Sequence, residues 1–201
     1  MILFGASGHG KVIIDILELN GMDDITIWDD NATAPVWDYE TSKPDAASLG
    51  DEPIIISIGS NEARKKVVER LPSEANYIVA IHPDAILART VNINNGTVVM
   101  GGVVINPDTS IGKHCILNTN ASVDHDCEIG DYVHISPNVA LCGNVTIGEG
   151  THIGAGTVVI PGKNIGKWCV IGAGSVIIED VPDYCTVVGN PGRIIKTLKK
   201  D

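Results

Sequence analysis

The sequence has a single phenylalanine, and aromatic residues make up only 4% of it. A wide core packed with rings is therefore excluded, and the interior has to be built from small and aliphatic side chains. No two of the five cysteines (Cys115, Cys127, Cys142, Cys169 and Cys185) form a CxxC pair. Their odd number argues against a disulfide framework, and their spacing against a thiolate zinc site. A reducing cytoplasm is the simplest compartment for such a chain. Basic residues are outnumbered, 14 against 25 acids, giving a net charge of −11. Nucleic acid and anionic membrane are poor partners on those grounds. After Pro182 the balance reverses locally, with Arg193, Lys196, Lys199 and Lys200 against Asp183 and Asp201. The opening MILFGASGHG lacks a basic region followed by a long apolar run. No signal peptide or membrane span is expected from it.

Glycine, by contrast, is plentiful (22 residues in a chain of 201), and the chain carries two distinct periods. Residues 1–83 read as α/β. MILF is a short apolar strand, GKVIIDILELNG a helix ended by Gly21, and ITIWDD a second strand with two acids at its end. Residues 31–52 are polar and contain proline, which suggests loop. PIIISIG is a buried strand, and Ser60 can cap a helix with Ala63, Val67, Val68 and Leu71 on its apolar face. NYIVAIHP reads as the last strand of a small parallel sheet with helices against it.

Residues 84–201 read as a second unit, a six-residue repeat followed by a C-terminal segment. Every sixth residue from Leu87 to Ile177 is Ile, Leu or Val, sixteen positions without a slip. Residues two places earlier are mostly small, such as Thr97, Cys115 and Ala121. The residue directly after each aliphatic is Gly, Asn or Asp in ten of sixteen cases, which suggests a left-handed corner there. Gly112, Gly130, Gly148 and Gly166 recur 18 apart, three hexads at a time. The physical reading is a solenoid of triangular coils, with three parallel sheets around a narrow aliphatic prism.

Uninterrupted hexads of this kind resemble the left-handed parallel β-helix of the hexapeptide-repeat acyltransferases. FGASGHGKVI, WDD and the terminal VVGNPGR narrow the likeness. Together they resemble sugar acyltransferases of the sialic-acid O-acetyltransferase type, and most closely the bacterial UDP-4-amino-sugar N-acetyltransferases of the bacillosamine pathway. The resemblance implies a Rossmann-like nucleotide-sugar domain, acetyl-CoA as co-substrate, no metal and a homotrimer.

SVDHDCEIG places His125 between Asp124 and Asp126. A His–carboxylate pair reads as a base with its orienter, a metal site or a solvated turn. An imidazole with a pKa near 6.5 suits removal of a proton from an attacking amine. In the resembled family the base is the His of a His-Glu pair at this point, and Asp126 is one methylene shorter than that Glu. Resemblance also gives His134 and Asn118 places near the reacting groups, while His152 receives no role. His134 and His152 lie 18 apart and should stack. Gly143 can bring a backbone N–H close to the thioester oxygen, or it is a corner irregularity.

Gly154 and Ala155 with Gly172 and Ala173 make a smooth strip for the pantetheine arm, or simply fit tight corners. Lys163 holds a position usually filled by a small inward residue, so it must swing out, and Arg193 in GNPGR is a candidate for a CoA phosphate. Gly8, His9 and Gly10 form a strand-to-helix turn of the kind that binds phosphate. Asp29 and Asp30 can hydrogen-bond a ribose or a base, and Gly59 and Asn61 end the next strand on the same edge. Three other readings stay open. They are O-acetylation of a sugar or sialic acid, a gamma-type metal-dependent hydratase, and a non-catalytic trimeric scaffold.

Overall fold

The computed structural model describes residues 1–31 and 34–197. Lys199 and Lys200 of the basic tail lie outside them. Four strands, β1 (Ile2–Phe4), β2 (Thr26–Trp28), β3 (Thr41–Ser42) and β4 (Ile54–Ile56), form a parallel sheet in the order β3-β2-β1-β4. β3 and a short 3-10 turn at Ala46–Ser48 fall in the stretch expected to be loop. Register aligns Leu3 with Ile27 and Ile55, all fully buried. The apolar triplets ILF and III are unbroken because both faces of the sheet are covered.

Helix α1 (Gly8–Leu19) covers one face through Ile13, Ile14, Ile16 and Leu17. It starts two residues earlier than expected, so Gly8 and His9 belong to its first turn. Gly10 is required there, because a Cβ would lie 2.6 Å from the Gly5 carbonyl oxygen. Helix α2 (Asn61–Arg70) meets the other face, with Val67 and Leu71 against Phe4, Trp28, Ile54 and Ile56. Ser60 caps it as expected, its Oγ accepting the Ala63 N–H at 3.4 Å.

The rest is a parallel β-helix. Seventeen two-residue strands follow one another every six residues, from β5 (Ala80–Ile81) to β21 (Val176–Ile177). They sort into three sheets. Two longer strands, β22 (Cys185–Val188) and β23 (Arg193–Thr197), extend the largest to eight. Residues 18 apart pair in register, as Ile135 does with Ile153. The sixth-position aliphatics from Val99 to Ile177 are buried and fill the prism.

Two expectations are corrected. Residues 80–81, assigned to the N-terminal sheet, pair instead with Val98–Val99 and begin the eight-stranded sheet. Ile81 lies six before Leu87, so the hexad rhythm already includes it. The N-terminal sheet gains only a bridge from Tyr77 to Ile54. The left-handed corner residue, moreover, falls three places after the aliphatic, not directly after it. Asp108, His114, Asn120, Asp126, Tyr132, Asn138, Asn144 and Trp168 all have φ between 53° and 62°. The glycines directly after the aliphatic serve close stacking. A Cβ on Gly112, Gly130 or Gly148 would lie 2.6–2.8 Å from the backbone of the next coil.

The small inward residues form polar ladders. Thr97, Thr109 and Thr151 donate to the carbonyls of Gly112, Asp124 and Gly166 at 2.7–2.8 Å. Each accepts the N–H of the cysteine 18 places on (Cys115, Cys127 or Cys169) at 2.9–3.2 Å. Those thiols donate in turn to carbonyls at 3.1–3.3 Å. A thiol at these three positions does the work of a threonine hydroxyl, and all five cysteines are unpaired.

The two halves meet through α1 and α2. The outer face of α1 packs on Val98, Met100 and Ile116 of the eight-stranded sheet. The polar half of the joint is Arg64, which is 0% exposed. Its Nε donates to the His114 carbonyl at 2.7 Å. One terminal nitrogen reaches the carbonyls of Ile58 (2.9 Å) and Gly59 (3.4 Å). The other reaches Asn61 Oδ1 (2.8 Å) and the Tyr132 carbonyl (2.9 Å). Lys65 pairs with Glu149 at 2.6 Å beside the rings of Tyr132 and Trp168. The inward face of α2 is thus Asn61, Arg64 and Val67, more polar than the sequence suggested. Replacing Arg64 by Met strands five oxygens in a dry joint and should cost about 2–4 kcal/mol. The midpoint of thermal unfolding, followed by circular dichroism, should fall by roughly 5–15 °C. A melt superimposable on the wild type would remove Arg64 from this role.

Candidate active site

His125 stands at the corner between the six-stranded and five-stranded sheets, after Val123 and before Ile129. Its side chain is 59% exposed, as is that of Asp126. Nδ1 lies 2.7 Å from Asp126 Oδ2. Asp126 holds the left-handed corner position, so its short polar side chain suits the backbone as well as the imidazole. With Nδ1–H donated to the carboxylate, Nε2 is the basic nitrogen. The Asp126 bond and the nearby Asp124 charge raise the His125 pKa above 6.5. Asp124 also accepts the His125 backbone N–H at 2.8 Å and is itself fixed by Asn106.

The ring lies on the next coil at Gly143, where a Cβ would come 2.6 Å from Cε1 and Nε2. Glycine lets the ring rest there, and a side chain at position 143 would push the imidazole aside. The Gly143 N–H makes no hydrogen bond among the described residues.

Lys163 is farther along the same edge, where its charge is felt by Asp180. Arg193 borders a cleft at the end of that edge with Ile178, Glu179 and Asp180. Gly154, Ala155, Gly172 and Ala173 fall on a different edge, between the eight-stranded and six-stranded sheets. Close stacking accounts for Gly154, whose Cβ would lie 2.6 Å from the Ala173 nitrogen. Gly172 makes room for Val188.

A second cluster lies where the two halves meet. A cleft of about 500 Å³ is lined by Gly59, Ser60, Asn61, His134, His152 and Trp168, among others. The imidazoles of His134 and His152 stack with centroids 4.7 Å apart and planes 16° from parallel. Asn118 accepts the Thr119 N–H through Oδ1, which turns its Nδ2 to His134 Nε2 at 3.2 Å. His134 Nε2 is therefore an acceptor and its proton resides on Nδ1. His152 Nε2 is 2.9 Å from Ser136 Oγ. Burial, then the neighbouring His152 and Arg64, push His134 down to about 3. His152 is lowered too, by burial and Arg64.

Of the N-terminal candidates, Gly8 is exposed at the start of α1. His9 is close enough to His134 for its charge to be felt there. Its Nε2 is buried without a partner, and burial with Arg64 lowers it to about 4. Asp29 holds the strand-to-helix turn by accepting the Ala6 and Asn31 N–H groups, each at 2.8 Å. Asp30 turns elsewhere and pairs with Arg70 through both carboxylate oxygens. Asn61 is used up by the joint. Its Nδ2 donates to the Gly150 and Thr151 carbonyls, and its Oδ1 takes Arg64.

His125 and His134 do not face the same space within one chain. One stands on the edge between the six- and five-stranded sheets, and the other projects from the eight-stranded sheet, with the prism between them. Sequence reasoning left His152 without a role and missed Ser136, Trp168 and Arg64. The 18-residue spacing of His134 and His152 was the available signal. Arg64 carried none, because a charge on an amphipathic helix is expected to face water. Among the described residues no group of three or more His, Cys, Asp or Glu is placed to hold a metal ion.

The two kinds of histidine should separate in an NMR titration. His125 should titrate above 6.5, and Asp126→Asn should bring it down. His9 and His114 should stay neutral to about pH 4 and His134 to about pH 3. Because these folded-state values lie below the unfolded 6.5, the stability they contribute is complete above pH 6.5. It is lost as pH falls from there toward 3–4. A thermal midpoint independent of pH across that window would contradict the burial of these imidazoles.

Comparison with known proteins places this geometry. Residues 1–71 match the PglD N-terminal domain, and residues 108–143 and 126–161 match the bacterial transferase hexapeptide (six repeats). UDP-N-acetylbacillosamine N-acetyltransferase of Bacillus subtilis is 39% identical over 115 residues, which are 49% of this chain and 50% of that relative. A crystal structure of a histidine-to-asparagine variant of perosamine N-acetyltransferase from Caulobacter crescentus, in complex with CoA and GDP-perosamine, superimposes with a TM-score of 0.91 at 35% identity. That likeness covers 100% of this chain and 96% of the other. The acetyltransferase domain of PglB from Neisseria gonorrhoeae, in complex with acetyl coenzyme A, gives 0.90 at 33% identity, over 96% and 98% of the two chains. Fold, repeat and N-terminal domain agree, and the chain belongs to the hexapeptide-repeat sugar acyltransferases with a PglD-type N-terminal domain.

Proposed function

We propose that this protein transfers the acetyl group of acetyl-CoA to the amino group of a nucleotide-linked 4-amino sugar, UDP-linked first among the candidates. The observation that carries the reading is His125, with Nδ1 held by Asp126 and its basic Nε2 over Gly143. The amine nitrogen attacks the thioester carbonyl carbon, and the C–S bond breaks as the amide forms. His125 takes the ammonium proton and returns it to the departing thiolate. The Gly143 N–H, without a partner among the described residues, is the donor beside the base for the developing oxyanion. Asp126 keeps the reactive tautomer and stabilises the imidazolium.

Lys163, farther along the same edge as the base, and Arg193, at the cleft where that edge ends, suit the anionic end of CoA. Gly154, Ala155, Gly172 and Ala173 lie across the six-stranded sheet and suit its slender arm. The nucleotide-sugar belongs in the N-terminal half. Gly8, His9, Gly10, Asp29 and Gly59 surround it, with His134 and Asn118 at its sugar end. Asp30 and Asn61, tied up in internal pairs, contribute by holding the fold.

The prism separates His125 from that cleft, so a second copy of the chain completes the site. A homotrimer, in which the flat faces of three prisms bury one another, supplies such a copy. Unpaired thiols suit a reducing cytoplasm as the place of reaction.

His125→Ala should lower kcat by roughly 100- to 10,000-fold in a free-thiol assay with acetyl-CoA and UDP-, GDP- or dTDP-amino sugars. Normal turnover in that variant would remove the mechanism. An acceptor with a hydroxyl in place of the amine separates N- from O-transfer. Co-expression of His125→Ala with His134→Ala tests the shared site. Each variant alone should be impaired, and mixed oligomers should recover a measurable fraction of activity because some interfaces carry both native residues. Mixed oligomers no better than either parent would place both residues in the site of one chain.

A further inference from the structure

Trp37 stands at the tip of a two-residue turn closed by Val36 and Tyr39, which exchange backbone hydrogen bonds of 3.0 Å. Both flanks are anchored. Val36 is buried in the core that contains α1, and the Tyr39 hydroxyl donates to Glu18 at 2.7 Å. Trp37 itself has φ 52°, a left-handed backbone that bulky residues rarely adopt. Other large residues here share that conformation at solenoid corners, and packing explains them. His114 stacks on Tyr132 with centroids 5.3 Å apart, and Trp168 lies against Gly150. Trp37 is different. It is 52% exposed, and its ring makes no ring stacking, cation–π contact or hydrogen bond among the described residues. An indole held out on an anchored turn invites a ligand.

The surroundings say which part of a ligand. Trp37 lines a cleft of about 290 Å³ with Ala6, Lys11, Asp29, Pro35 and Val36. Ala6 leads into the Gly8–His9–Gly10 turn, and Lys11 follows it directly. On the other side of that turn His9 is near enough to His134, which lines the larger cleft, for its charge to be felt there. An elongated nucleotide-sugar lying across the turn has its diphosphate at the start of α1 beside Lys11. Its sugar extends toward His134, and its base rests against Trp37.

We propose that Trp37 is the platform on which the substrate's nucleobase stacks, an assignment that rests on the nucleotide-sugar reading above. Every base has a π-face, so a stacking platform gives affinity without choosing among bases. Trp37 should therefore strengthen uracil and guanine nucleotides alike, leaving base choice to groups that meet the ring edge.

Isothermal titration calorimetry with UDP, GDP and uridine tests this on the full chain. Trp37→Ala should weaken all three by a similar factor, roughly tenfold to a hundredfold, and Trp37→Phe should recover most of the loss. Lys11→Ala should weaken UDP and leave uridine unchanged, which fixes the direction of the ligand. Trp37→Ala binding UDP as tightly as the wild type, with an unchanged melting point, would overturn the platform while the nucleotide-sugar reading stands. Trp37→Phe no better than Trp37→Ala would also overturn it, as would loss of GDP binding alone. A wild-type protein that binds none of the three would sink the nucleotide-sugar reading and the platform together.

Discussion

Arg64 ties oxygens from both halves of the molecule to one planar group. All five of its N–H groups find acceptors, in the Ile58–Gly59 turn, in Asn61 and on two successive coils of the solenoid. No carboxylate is among them. A buried cation is tolerable here because carbonyl and amide dipoles converge on it from every direction its fork can reach. Burial lowers its pKa only to about 10, so it keeps its charge at neutral pH. The site depends on this arrangement in two ways. It fixes Gly59 and Asn61 against the coil corners that carry His114 and Tyr132. It also leaves a positive field with no counter-ion, and that field is among the causes that depress His9, His114, His134 and His152.

One residue type thus serves two opposite purposes in a single chain. The interdomain histidines are largely buried and near a cation, so they are neutral walls that offer hydrogen bonds without acquiring charge. His125 is wet and flanked by two carboxylates, so it gains proton affinity and suits proton transfer near neutral pH. Environment alone separates the roles. The stacked His134 and His152 would repel each other if both were protonated, and their surroundings prevent that.

Much of this was legible in the sequence, because the six-residue rhythm is a direct print of the prism. Leu87 to Ile177 announced the coils, and SVDHDCEIG announced the exposed imidazole. Where the reading slipped, a local feature had two physical explanations. Gly, Asn or Asp after ten of the sixteen aliphatics suggested a left-handed corner there, yet at Gly112 and Gly148 the glycine reflects coil stacking, and the corner falls two residues later. Ala80–Ile81 looked like the end of one period and was the start of the next. Asn61 looked available at a strand end but its amide is consumed by the joint. Arg64 was illegible in principle, since four of its five partners are backbone oxygens, which any sequence supplies. The separation of His125 from His134 depends on counting around three faces, not along one.

The sixth-position aliphatics make neighbouring coils alike along the axis of the prism. A segment of 18 residues added or removed between positions 145 and 175 would keep an Ile, Leu or Val at every sixth position of the shaft. On the outside, however, Arg193 would move by one coil, about 4.8 Å, relative to His125. The solenoid therefore behaves as a ruler marked in fixed increments. The span between His125 and the cleft bordered by Arg193 can be reset by whole coils without changing the aliphatic rhythm of the interior.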